Sequence, residues 1–105
     1  MWFIFPQIQG LGYSVMARKY AISSREEADA YLLHPILGPR VRECCRIVNG
    51  IEGRSIGEIF GHPDDLKFQS SMTLFANATT DNQLFWDALQ KYFGGRPDQV
   101  TLERL

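Results

Sequence analysis

Along most of this chain apolar residues recur at offsets of three and four, and each such run is bracketed by capping and stop residues, the pattern of short amphipathic helices. In SSREEADAYLLHP, Ser24 and Glu27 have capping-box spacing, Ala28, Tyr31 and Leu32 form an inward face, and Pro35 forces an end. A shorter helix is predicted ahead of it, capped by Ser14 and reaching Tyr20. GPRVRECCRIVNG sets Pro39 at a first helical position and Gly50 just past the last. Its apolar stripe of Val41, Cys44, Cys45 and Val48 lies opposite Arg40, Arg42, Glu43 and Arg46. RSIGEIFG repeats the grammar over a turn or two, with Ser55 and Glu58 as a second capping box, Ile56, Ile59 and Phe60 inward, and Gly61 as the stop. TDNQLFWDALQKYFGG takes Asp81 as its cap, gathers Leu84, Phe85, Ala88, Leu89 and Tyr92 on one face, and closes at Gly94 and Gly95.

One segment supports two periods. DDLKFQSSMTLFANATT carries no charge from Phe68 to Thr80. As a helix it puts Phe68, Met72 and Phe75 on one side and Leu66, Ser70 and Thr73 on another; as a strand it alternates Leu66, Phe68, Met72 and Leu74 with polar residues. Length favours the helix, because a run from Asp64 to about Ala76 is long for a strand and Asp64 is a fair cap. A helix without charge has little to show water, so this one is predicted to be central. The expected fold is all-α, a small multihelical bundle of short helices around an uncharged central helix.

Composition narrows the picture further. A chain of 105 residues and 12.0 kDa makes a single domain spanning residues 1–105. An apolar fraction of 45%, a charged fraction of 22% and a mean hydropathy of -0.19 belong to a folded globular protein. Eleven basic against twelve acidic residues leave a net charge of -1, which gathers neither nucleic acid nor an anionic membrane, so neither is expected as a partner. Cys44 and Cys45 are adjacent, and neighbours on a helix diverge by about 100°, too far for an ordinary disulfide; both read as reduced core residues. His34 and His62 are isolated, so no metal site is expected. No cofactor is expected either, since the glycines at Gly10, Gly12, Gly94 and Gly95 lack the strand-loop-helix setting of a phosphate loop. The opening run MWFIFPQIQGLG stops being apolar at Pro6 and has no basic lead-in, which makes it neither a signal peptide nor a membrane span; a cytoplasmic location is the default.

MWFIFPQIQGLG, ARKYAI, HPILGPRVREC, EIFGHPDDLKFQSSMTLF and KYFGGRPD occur in this order, and together the chain resembles, over almost its whole length, the bacterial family known as domain of unknown function 1810. The resemblance implies a small multihelical fold and no settled activity. It also implies a further, largely helical stretch ahead of the Trp-Phe-Pro-Gln run. With Met1 directly before Trp2, the expectation is a shortened chain whose Trp2, Phe3, Ile4 and Phe5 lack part of their packing, which implies reduced stability or self-association through Trp2, Phe3 and Phe5.

Catalytic residues cannot be named from this sequence. Cys44 and Cys45 lie on an apolar stripe, Asp64 and Asp65 suit a helix N-terminus, His34 suits a helix end, and the arginines around Arg40 suit a solvated face. More informative are Lys67, Gln69, Ser70, Ser71 and Thr73, polar residues on a segment otherwise written for burial. Two arrangements answer them: a structural network, or a pocket lined by Gln7, Lys67, Ser70 and Ser71, with Arg18 or Arg40 adding a second cation for a small anionic or nucleotide-like ligand. Three functional readings follow: a binding module using that pocket, a hydrolase of nucleotide or glycosidic bonds at the same place, and an interaction module using the N-terminal aromatics.

Overall fold

The uncharged segment is the longest helix of the protein, and the other helices are packed around it. The structure, a computed structural model, describes residues 4–11 and 21–105. Among these residues six helices follow in order: α1 (Arg25–Leu33), α2 (Leu37–Asn49), α3 (Ile56–Phe60), α4 (Asp64–Ala78), α5 (Gln83–Phe93) and α6 (Gln99–Arg104). The helix expected between Ser14 and Tyr20 lies outside the described residues.

Helix α4 packs against α1, α3, α5 and α6, while α2 closes the other side by packing on α1 and α5. Every residue from Ser70 to Ala76 is buried, which is why the segment carries no charge and no one-sided apolar stripe. Phe68 and Phe75 anchor two aromatic clusters: Phe68 meets Phe60 at 5.2 Å and Phe93 at 6.4 Å between ring centres, and Phe75 meets Tyr31 at 5.7 Å and Phe85 at 5.4 Å. The inward faces of the flanking helices match the periodicity, with Ala28 and Leu32 of α1, Val41, Cys45 and Val48 of α2, and Phe85, Ala88 and Leu89 of α5 all buried; Cys44 is half-buried.

Local chemistry starts these helices in several ways. The Ser24 hydroxyl accepts from the Glu27 N–H at 3.1 Å, and the Glu27 carboxylate turns back to the N–H of Ser23 rather than of Ser24. At Ser55 the capping box is complete in both directions, and the backbone N–H of Ser55 on the Glu58 carboxylate holds that group below its ordinary value. Helix α2 begins two residues before Pro39, and its cap is an imidazole: His34 Nδ1 accepts from the N–H groups of Ile36 and Leu37, both at 3.1 Å. His34 therefore serves the N-terminus of the helix that follows it. Asp81 does not cap α5. It lies one position too early, and its carbonyl accepts from Arg42, while Asn82 donates to Ala76 O and ties the two helix ends together.

The N-terminal arm supplies core. Phe5 is 3% exposed, edge-on to Phe68 at 4.9 Å and to Phe60 at 6.1 Å, and Pro6 and Ile8 are buried beside it. Covering one such ring is worth about 1.5–3 kcal/mol. Phe5 is thus removed from the expected self-association surface, because α4 and α3 already cover it; Trp2 and Phe3 lie outside the described residues. The arm is fixed by a parallel bridge in which Ile22 N–H donates to Gln7 O at 2.8 Å and Gln9 N–H donates to Ile22 O at 2.7 Å.

Candidate functional site

The polar residues on the buried helix are answered largely from inside. Ser70 donates to Leu66 O at 3.0 Å and to Asp98 Oδ2 at 3.3 Å, and the same carboxylate oxygen accepts from the Thr101 N–H at 3.0 Å and the Thr101 hydroxyl at 2.6 Å. Thr73 donates to Gln69 O and accepts the Asp98 N–H, each at 2.8 Å, while Gln69 reaches Arg96 O at 3.0 Å. This network joins the middle of α4 to the start of α6. Ser70 and Thr73 belong to it, which is the structural one of the two readings left open by the sequence. Asp98 and Thr101, its other half, carried no signal in the sequence beyond the helix-capping spacing of an Asp three residues before a Thr.

The remaining members of the expected pocket are distributed as follows. Ser71 is fully buried, and its hydroxyl has no hydrogen-bond partner among the described residues. Lys67, one turn earlier on the same helix, pairs with Asp64 at 3.4 Å, so part of its charge is already met. Gln7 is half-buried in the arm, and Arg40 stands exposed on α2, away from the buried faces that α2 turns to α1 and α5. Arg18 lies outside the described residues.

A concavity opens elsewhere. Ile8, Gln9, Gly10, Ser23, Glu103 and Arg104 line an open, mainly polar cleft of about 580 Å³ between the N-terminal arm and the end of α6. Its floor depends on Gly10. That residue has φ +99°, a conformation that favours glycine, and a Cβ there would stand 2.4 Å from Arg104 Nη1. The guanidinium therefore occupies the space that a side chain at this position would fill. Arg104 has neither an ion pair nor a hydrogen bond among the described residues, although α6 carries Glu103 next to it. On the opposite wall the hydroxyl and N–H of Ser23 both donate to the Glu27 carboxylate, so the Ser23 oxygen offers the cleft lone pairs rather than a proton. Sequence reading missed this cleft because its two walls are far apart in the chain.

Cys45 is not arranged as a nucleophile. Cys45 Sγ sits 3.5 Å from Met72 Sδ and 3.6 Å from Leu84 O, and burial, reinforced by the Asp87 carboxylate, pushes the thiol up to about 12, the reverse of what a nucleophile needs. His62 Nδ1 lies 3.1 Å from Asp65 Oδ1 at the surface. Among the described residues no group of three His, Cys, Asp or Glu side chains is placed to hold a metal ion, and no helix is long and apolar enough to cross a membrane.

Comparison with known proteins places the chain in context. The model of the family described as "Protein of unknown function (DUF1810)" matches residues 1–105. Among solved structures, the conserved hypothetical protein Rv1873 from Mycobacterium tuberculosis is 60% identical and superposes with a TM-score of 0.98, the match covering 99% of this chain and 74% of that one. No curated protein matches.

Proposed function

We propose, for a chain that belongs to the DUF1810 family, that it is a cytoplasmic binding module for a small anionic ligand, and that Arg104 holds the ligand's charge in the cleft between arm and α6. The observation that carries this reading is the guanidinium laid on Gly10 with no ion pair among the described residues. A guanidinium keeps its charge at any physiological pH and presents paired donors to a carboxylate or phosphate. Lys67 is the weaker candidate, because Asp64 already stands 3.4 Å away and a ligand would have to compete with it. The two adjacent free cysteines, Cys44 and Cys45, suit a reducing compartment.

Thermal unfolding with inorganic phosphate, AMP and hexose phosphates tests the reading. A ligand at a hundredfold excess over its Kd adds about 2.7 kcal/mol to stability. Arg104→Gln should abolish the shift and Lys67→Gln should leave it. No shift with any anion overturns the proposal, and so does a shift that survives Arg104→Gln. A shift lost on Lys67→Gln instead would move the ligand to the set Gln7, Lys67, Ser70 and Ser71.

A further inference from the structure

The cleft carries more information than the sign of one charge. Its described walls hold a cation on Arg104, a carboxylate on Glu103, an amide on Gln9 and, at Ser23, an oxygen whose proton is committed to Glu27. The described lining thus sets a carboxylate, a hydroxyl oxygen and an amide beside a single cation. A bare phosphate satisfies Arg104 but meets repulsion from Glu103 on the neighbouring position of α6. A ligand that adds hydroxyl donors a few ångströms from its anionic group turns the same carboxylate, and the Ser23 oxygen, into partners.

Size points the same way. The cleft of about 580 Å³ lies within the range of roughly 300–1,000 Å³ typical of sites for metabolite- and drug-sized molecules, well beyond a simple anion. None of its described lining residues is aromatic.

We infer that the ligand of this cleft is a polyhydroxylated anion of the sugar phosphate class, and that Glu103 is the residue that selects for it. The inference rests on the proposed reading of Arg104 as the anion anchor, and it narrows the small anionic or nucleotide-like class to its hydroxyl-rich members. Glu103 is exposed on α6 and stands outside the network of Ser70, Asp98 and Thr101, so changing it leaves that network in place.

Calorimetric titration of the full chain with inorganic phosphate, glucose 6-phosphate, glucose and AMP tests this, comparing the parent with Glu103→Gln and Arg104→Gln. Glucose 6-phosphate should bind about tenfold tighter than phosphate, the worth of a hydrogen bond to a charged group. Glu103→Gln should erase that preference while binding phosphate no less tightly, since it also removes a repelling charge. Arg104→Gln should lose both ligands. Equal affinity for phosphate and glucose 6-phosphate, or a preference untouched by Glu103→Gln, overturns the sugar phosphate assignment while leaving the anion site standing. So does tighter binding of AMP than of glucose 6-phosphate. Failure of every anion to bind the parent overturns the underlying reading as well.

Discussion

The two ends of α6 put similar residue types to opposite uses. At its start, Asp98 and Thr101 meet Ser70 and Thr73 of the central helix, and each of their side-chain oxygens in the network is matched by a donor or acceptor within 3.3 Å. At its end, Glu103 and Arg104 line an open cleft, and Arg104 has no partner among the described residues. The first region is saturated, so its polar groups contribute order and nothing that an outside molecule can use. The second is unsaturated and reachable. Polarity on a helix is thus no sign of a site by itself; what matters is whether the fold has already answered it.

Experiments that try to erase this contrast should show graded effects. The largest concerns solvent access to the closed side. With the Cys45 thiol at about 12 instead of 9.0, its thiolate is roughly a thousandfold scarcer in the folded protein than in the unfolded chain, so a thiol reagent near pH 8 should label half-buried Cys44 and reach Cys45 only on unfolding. Because the folded pKa is the raised one, this group's contribution to stability is complete below pH 9.0 and declines as the pH climbs toward about 12. Rapid labelling of both thiols in the native protein would mean that the closed region is not closed.

Next, Asp98→Ala strips the buried Thr101 and Ser70 hydroxyls of their shared acceptor and should cost on the order of 2–4 kcal/mol in urea unfolding. A midpoint unchanged from the parent would show that the network does not hold α6 to α4. Two glycines offer a paired test. At Gly38 a Cβ would stand 1.9 Å from Leu32 O, a backbone atom that cannot step aside, and Gly38→Ala should lose roughly 2 kcal/mol even after its gain of about 1 kcal/mol in helix propensity. At Gly10 the obstructing atoms are the tip of a flexible side chain. Gly10→Ala should therefore cost only about 1–2 kcal/mol, from its positive φ, while displacing the guanidinium and weakening anion binding. The smallest effect is expected for Arg104→Gln, within about 0.5 kcal/mol of the parent because it breaks no bond among the described residues. A larger loss, measured in the same urea series, would place Arg104 with the closed region instead of the open one.

Much of the framework was legible from local pattern. Ser24 with Glu27 and Ser55 with Glu58 mark helix starts at the positions observed, and Gly94 ends α5 in the left-handed conformation that glycine adopts readily. The uncharged run from Phe68 was readable as a helix from its length and as central because it had little to show water. Pro39 and Asp81 misled, since a histidine ring and a tie between α4 and α5 did the work that their positions suggested. The candidate site was legible only in kind. Ser70 and Thr73 stood out as polar residues in an apolar segment, but the carboxylate that answers Ser70 lies 28 positions further along, and no periodicity reaches that far.

By itself, then, the amino-acid sequence determined where several of the helices begin or end, which one is central, and what family the chain resembles, because capping, periodicity and the avoidance of buried charge act over a turn or two of chain. Tertiary structure alone decided that Asp98 closes the network on α4, that Gly38 lets two helices touch, and that Gly10 leaves room for Arg104 beside Gln9 and Ser23. Those outcomes depend on pairs of residues distant in the chain, and whether a polar group is satisfied or left open is a property of the pair.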